Sequence, residues 1–213
     1  MAQKLKILIA DDHAIFRHGL KGIFEKYFPK VTVGEAETGQ GALEQVRKAN
    51  WDLVVLDVTM PGRNGVDALR EIRRLRPALP VLGLSMHPEE QYAMRVLQAG
   101  AVGYVTKMKA PLEVIKAVER ILAGDKYVSP ALAEHLMKQS QPGAEKLPHE
   151  RLTNREYQVM RLAPSGKSLK EIAGELSISI QTVSTHRARI LKKMGLHNSA
   201  ELIRYALENK LVE

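Results

Sequence analysis

Short apolar runs alternate with amphipathic stretches from Lys4 to about Gly124. The runs Leu5–Ala10, Val31–Glu35, Leu53–Leu56, Val81–Leu84 and Val102–Val105 have strand length and are rich in branched side chains. Between them, Ala14–Phe28, Gly41–Lys48, Gly65–Leu75, Glu89–Gln98 and Leu112–Leu122 repeat their apolar residues at helical spacing. Strict alternation of strand and helix predicts an α/β domain, a doubly wound five-stranded parallel sheet covered on both faces. Tyr127–Lys138 then reads as a short helix with Pro130 near its start and Ala131, Leu132, His135 and Leu136 on one side. Ser140–Glu150 carries Pro142, Gly143 and Pro148 among polar residues, a linker composition.

Beyond the linker the pattern is helical only. Thr153 with Glu156, Ser168 with Glu171 and Asn198 with Glu201 each place a capping side chain three residues before a glutamate. Ser179 starts a fourth helix. Pro164 interrupts the end of the first, because it has no backbone N–H to donate. The second and third helices, with Ile172, Ala173, Leu176, Ile178 and Val183 turned inward across a tight connection, have the form of a helix-turn-helix. The resulting organisation is residues 1–126 as the α/β domain, 127–148 as a linker with a short helix, and 149–213 as a small all-α domain.

Composition sharpens this in two places. The chain has 213 residues, 45% of them hydrophobic, and no cysteine, so disulfides and thiolate chemistry are excluded. No uncharged apolar run approaches the roughly 20 residues a membrane helix needs, and the N-terminus has no basic-then-apolar leader, so a soluble cytoplasmic protein without membrane contact is expected. The net charge is +8. Ser179–Gly195 contributes Arg187, Arg189, Lys192 and Lys193 and no acid, a cluster that suits either a polyanion or a solvated face.

Candidate chemistry gathers at one edge of the sheet. In doubly wound folds ligands bind beyond the carboxyl ends of the strands. There strand one ends in Asp11 and Asp12, strand three in Asp57 and strand four in Ser85, while Lys107 follows strand five. Carboxylates this close resist ionising together unless a cation neutralises them, and an all-oxygen donor set suits Mg²⁺. Asp57 is then placed to attack a phosphoryl group, with Lys107 offsetting its charge and Ser85 donating to one of its oxygens. Singly, each residue has a plainer role: Asp12 caps a helix, and Lys107 is a surface charge.

The segments LIADD (Leu8–Asp12), LVVLDVTMPGRNG (Leu53–Gly65), LSMH (Leu84–His87) and GYVTK (Gly103–Lys107) resemble the signatures of receiver domains. The resemblance implies that Asp57 accepts the phosphoryl group, that Asp11 and Asp12 hold Mg²⁺ with the backbone carbonyl of Thr59, and that Ser85 and Lys107 contact the phosphoryl group. It also implies that Tyr104 turns inward when Ser85 moves, reshaping the face of the fourth helix, fifth strand and fifth helix. Two enzyme readings fail on the same residues. A haloacid-dehalogenase-type phosphatase wants an aspartate where Thr59 stands, and Gly166-Lys167-Ser168 lacks the upstream glycine of a P-loop, that position being Arg161.

In the second domain, Gln181, Ser184, Thr185, Arg187, Ala188 and Arg189 face outward on the third helix. Short polar side chains near its start reach base edges and basic ones meet phosphates, as in major-groove docking. The segments LTNRE, KEIAGEL, TVSTHR and KKMG resemble the DNA-binding domain of NarL/FixJ-type, LuxR-like regulators. The resemblance implies DNA contacts from Gln181, Thr182, Ser184, Thr185, Arg187, Ala188, Arg189, Lys192 and Lys193, and a dimerisation helix bearing Leu202, Ile203, Ala206 and Leu207. Ile180 departs from the usual polar residue at its position, and His186 reads as a packing or phosphate-contacting residue.

The whole chain therefore resembles a two-component response regulator rather than an enzyme. Its implied partners are a sensor histidine kinase, double-stranded DNA and, when activated, a second copy of itself. The alternative is a phosphate-independent DNA-binding regulator whose receiver serves as a dimerisation module.

Overall fold

A computed structural model describes residues 5–60, 65–108, 111–139, 147–209 and 211–212. Pro61–Asn64 of the third signature segment and the linker residues Pro142 and Gly143 lie outside the described residues, as do the side chains of Ala131, His135 and Leu136. The chain divides into two compact units, Met1–Glu134 and His135–Glu213.

The first unit holds strands β1 (Lys6–Ala10), β2 (Thr32–Ala36), β3 (Leu53–Asp57), β4 (Val81–Ser85) and β5 (Gly103–Thr106). They form one sheet in the order β2-β1-β3-β4-β5, every pair parallel. Helices α1 (Ala14–Tyr27), α2 (Gly39–Lys48), α3 (Gly65–Leu75), α4 (Glu89–Gln98) and α5 (Pro111–Leu122) connect and cover it. Strand β3 is buried at all of its positions, as an unbroken apolar run between two helical layers requires. Alternate strand residues Ile7, Ile9, Leu53, Val55, Leu82, Leu84 and Val105 share one core with Leu20 and Phe24 of α1 and Val114, Val118 and Ile121 of α5. Each such burial stabilises by roughly 1.5–3 kcal/mol before chain entropy is set against it.

The strand order reverses direction between β1 and β3, and a crevice opens at such a switch point. The start of α3 closes on it: a Cβ at Gly65 would lie 2.0 Å from the Asp57 carbonyl oxygen, so only glycine fits there. Strands β3 and β4 each run one residue past their apolar stretch, so Asp57 and Ser85 are the terminal residues of strands and not parts of loops.

Tyr127 departs from the expected helix start. It lies not in the linker helix but alongside β5, bridged to Gly103. Its N–H donates to the Val102 carbonyl at 2.9 Å, and its carbonyl accepts from the Tyr104 N–H at 3.2 Å. Gly103 permits the approach, since a Cβ there would stand 2.9 Å from the Tyr127 oxygen. Helix α6 (Pro130–Gln139) starts later than expected. Proline suits a first helical position, and the Ser129 hydroxyl accepts the Leu132 N–H at 3.2 Å.

The second unit holds α7 (Asn154–Leu162), α8 (Leu169–Glu175), α9 (Ile180–Met194) and α10 (Ser199–Glu208). Thr153 and Ser168 form reciprocal capping boxes with Glu156 and Glu171. Asn198 caps α10, and the Glu201 carboxylate accepts from the His197 N–H and from the Asn198 side-chain amide. Pro164 sits in a 3₁₀ turn, Ala163–Ser165, directly after α7. The expected linker residues Pro148–Glu150 belong to another 3₁₀ turn, Pro148–Arg151. Ile172, Ala173, Leu176 and Val183 are buried where α8 meets α9, and Ile178 is half-buried.

Candidate functional site

The sheet's carboxyl edge brings four predicted side chains into one buried cluster. Asp11, Asp57 and Ser85 are fully buried. The Lys107 side chain is 2% exposed, and its Nζ lies 2.5 Å from Asp11 Oδ2 and 2.6 Å from Asp57 Oδ2. The ammonium therefore serves both carboxylates at once, and it also sits 4.7 Å from the centroid of the Phe16 ring. Asp57 Oδ1 accepts from the Thr59 N–H at 2.8 Å and the Thr59 hydroxyl at 2.7 Å. Burial raises the Asp11 pKa and the Asp57 charge adds to the rise, while the Lys107 ammonium opposes both. Asp12 is exposed at the rim, and the His13 ring nitrogen reaches Asp12 Oδ1 at 3.1 Å and Asp11 Oδ1 at 3.3 Å. One ligand atom from each of Asp11, Asp12, His13 and Asp57 falls within 4.8 Å of the others.

Ser85 is engaged by the loop after β4. Its hydroxyl accepts from the His87 N–H at 3.0 Å, and the His87 carbonyl accepts from the Tyr104 hydroxyl at 2.8 Å. Tyr104 is buried, 1% exposed. Burial pushes its phenol well above the ordinary value of 10.0. The His87 ring stacks on Tyr92 of α4, with centroids 5.0 Å apart.

In the second unit, Gln181, Ser184, Thr185, Arg187, Ala188, Arg189 and Lys192 are exposed along α9, and Thr182 is half-buried. Ser179 caps the helix, accepting the Thr182 N–H at 3.0 Å, and the Thr185 hydroxyl donates to the Gln181 carbonyl at 2.9 Å. Arg155 braces the preceding turn by donating to the Leu176 carbonyl at 2.6 Å. Among the described residues, no helix is long and apolar enough to cross a membrane.

Comparison with known proteins follows the same division. The description "Response regulator receiver domain" matches residues 7–119, and "Bacterial regulatory proteins, luxR family" matches residues 150–206. The chain is 33% identical over 208 residues to the response regulator UvrY of Escherichia coli K12, covering 97% of this chain and 95% of that one. It belongs to the two-component response regulators. The regulator is also 32% identical over 210 residues to the response regulator GacA of Pseudomonas aeruginosa, covering 98% of each. A structure of RcsB from Salmonella enterica serovar Typhimurium, bound to a promoter in the presence of phosphomimetic BeF3-, aligns with a TM-score of 0.65 at 28% identity, over 95% of this chain and 98% of that one.

Burial and ion pairing bear on two expectations about this regulator's surface. Leu202 and Ala206 are buried inside the second unit, Leu202 being 1% exposed, so neither is available to a partner. Ile203 is half-buried and Leu207 exposed, and only these two of the expected four remain on the outside. Lys193 lies 2.6 Å from Glu156 Oε2, and Glu156 is 3% exposed. The Lys193 ammonium thus reaches the α7 capping box while the residue stays exposed. Burial works to raise the Glu156 pKa, but Lys193 and the Thr153 N–H and hydroxyl outweigh it, and the net direction is downward. His186 is half-buried with a buried Nδ1; burial and the nearby Arg189, Arg155 and Lys193 lower its pKa against the opposing pull of Glu156.

One pocket residue escaped the reading of the sequence. Arg17 is buried in α1, donates to the Asp11 carbonyl at 2.8 Å and reaches Glu37 at 2.7 Å. It therefore ties the end of β1 to the residue after β2. A signal was present: Arg17 occupies the same helical stripe as Leu20 and Phe24, where a charged side chain is affordable only with partners.

Proposed function

We propose that phosphorylation of Asp57 by a sensor histidine kinase switches this regulator's binding to double-stranded DNA through α9. The observation that carries the reading is the Asp57 carboxylate at the end of β3, held between the Lys107 ammonium and the Thr59 donors. An Asp57 carboxylate oxygen attacks the phosphorus of a phosphohistidine. The P–N bond breaks, its electron pair stays on the kinase imidazole, and that nitrogen takes up a proton. Lys107 then balances the new negative charge, and Ser85, two residues from the Tyr104-bound His87 carbonyl, supplies a hydroxyl to a phosphoryl oxygen.

Mg²⁺ fits this donor set. Asp11, Asp12 and Asp57 offer closely grouped carboxylate oxygens, to which the Thr59 backbone carbonyl would add a fourth hard ligand. When bound, the cation offsets charge on the transferring phosphoryl group. The chain contributes its own part by burying Asp11 and anchoring it through Arg17, which holds the ligand in place before any cation arrives.

On DNA, Ser184, Thr185 and Ala188 face bases from the exposed side of α9, with Gln181 and Thr182 near its start, while Arg187, Arg189 and Lys192 meet phosphates. Activation pairs two copies so that two short helices read two half-sites, and Ile203 and Leu207 are the residues left on α10 for that contact. A regulator of this kind acts in the cytoplasm. The test is intact mass after incubation with Mg²⁺ and acetyl phosphate, beside an Asp57→Ala variant. One phosphoryl adduct on the parent and none on the variant is the expected outcome. A folded parent that takes up none would sink the reading in favour of a phosphate-independent regulator.

A further inference from the structure

Resting on the reading above, we propose that Ser129 is the point where the receiver's switch is handed to the linker helix α6. The path runs through alternate residues of a single loop. Ser85 ends β4 and its hydroxyl accepts the His87 N–H. His87 is held at its carbonyl by Tyr104 and at its ring by Tyr92. Glu89, two residues further, begins α4, and its carboxylate accepts a hydrogen bond from the Ser129 hydroxyl. That same hydroxyl oxygen accepts the Leu132 N–H and so caps the first turn of α6, which continues across the boundary into the second unit.

The chain around Ser129 is fastened to the same face by independent contacts. Tyr127 shares two backbone hydrogen bonds with β5, one of them from the Tyr104 N–H itself. The Tyr127 hydroxyl donates to Glu113 of α5 at 3.0 Å. The segment therefore touches α4, β5 and α5, and Ser129 is its contact with the loop that starts at the phosphoryl-sensing hydroxyl. A Ser85 hydroxyl drawn to a phosphoryl oxygen on Asp57 takes the His87 amide with it. The displacement reaches Glu89 within one turn of chain, withdraws the acceptor from Ser129 and loosens the α6 cap. The linker helix is released by the switch directly, without any requirement for a surface between the two units.

The test is hydrogen exchange of the full chain, with intact mass read on the same samples. The first-turn amides of α6, Leu132 and Ala133, are followed with and without acetyl phosphate and Mg²⁺. In the parent, phosphorylation should speed their exchange about tenfold, which is what loss of one charge-assisted hydrogen bond allows. Ser129→Ala should form the same adduct but exchange quickly in both states, and Ser129→Thr, which keeps the hydroxyl, should restore the response. An adduct on the parent with unchanged α6 exchange would overturn the coupling and leave Asp57 as the phosphoacceptor. Equal responses in parent and Ser129→Ala would overturn it as well. Absence of any adduct would remove the coupling together with the reading beneath it.

Discussion

Replacing Lys107 by methionine is the sharpest probe of the pocket. The substitution keeps a stem of similar length and deletes the ammonium, including its contact over the Phe16 ring. Two fully buried carboxylates, Asp11 and Asp57, then face each other with their shared cation gone. Removing one partner of a buried ion pair costs roughly 3–5 kcal/mol, because the charge left behind has lost both water and its counter-ion. At about 4 °C per kcal/mol that is a fall in Tm of around 12–20 °C. Mg²⁺ should recover part of the loss, about 2.7 kcal/mol at a hundred times its Kd. Adding Asp57→Asn should recover about 2 kcal/mol without metal by removing one of the two charges. The assay is urea unfolding followed by tryptophan fluorescence. The chain has one tryptophan, Trp51, and it lies in the first unit, so the signal reports the receiver alone. A Lys107→Met variant within 1 kcal/mol of the parent, or one that Asp57→Asn fails to rescue, would refute the idea that this ammonium is what makes the buried acids tolerable.

Other outcomes follow from the same geometry. Glu156 has a lowered folded pKa, so its stabilisation is complete above its ordinary value of 4.5 and is lost as pH falls through the lower folded value. Glu156→Gln should cost about 1–2 kcal/mol at pH 7, discounted for the 39% exposure of Lys193. That gap to the parent should narrow at pH 4 in thermal melts followed by circular dichroism. On a promoter fragment selected from genomic DNA, Arg187→Ala and Arg189→Ala should each reduce the salt dependence of binding by about one unit of slope in a KCl series. Lys193→Ala should leave that slope unchanged and lower Tm instead. Gly65→Ala should destabilise the receiver by about 3 kcal/mol or more, since the added carbon meets the Asp57 backbone at 2.0 Å, and should slow adduct formation from acetyl phosphate.

The strands, the helices and the acidic edge could be read from the chain because each rests on local pattern. Unbroken apolar runs place β3 and β4 in the centre of the sheet, and the residue that ends each run, Asp57 or Ser85, falls on the ligand-binding edge by geometry alone. Capping chemistry located the starts of α7 to α10 for the same reason. What escaped depends on distance in sequence. Tyr127 looks like a helix residue until β5 is seen to begin with Gly103, whose missing side chain lets the Tyr127 backbone approach. Lys193 belongs to an exposed basic cluster by spacing, and only the fold carries Glu156 to it. Leu202 and Ala206 form an apolar stripe that no periodicity can divide between a domain's own core and a partner's. Arg17 shows the opposite case, a visible break in an apolar stripe that should have prompted a search for its partners.

The two units handle charge in opposite ways, and the difference accounts for how one can govern the other. In the receiver pocket the Asp11, Asp57 and Lys107 charges are buried and mutually compensated, so under the proposed function an added phosphoryl group would draw on the nearby donors Lys107, Thr59 and Ser85. On α9 the expected base-facing side chains other than the half-buried Thr182, and all four expected cations, are exposed. On the proposed reading, DNA binding would need no rearrangement inside the second unit, only a change in how α9 is presented or paired. A switch built on this chain has to act on the connection between a tightly strapped pocket and a preformed reading helix. The first residues of that connection, Tyr127 and Ser129, are the ones bound to β5, α4 and α5.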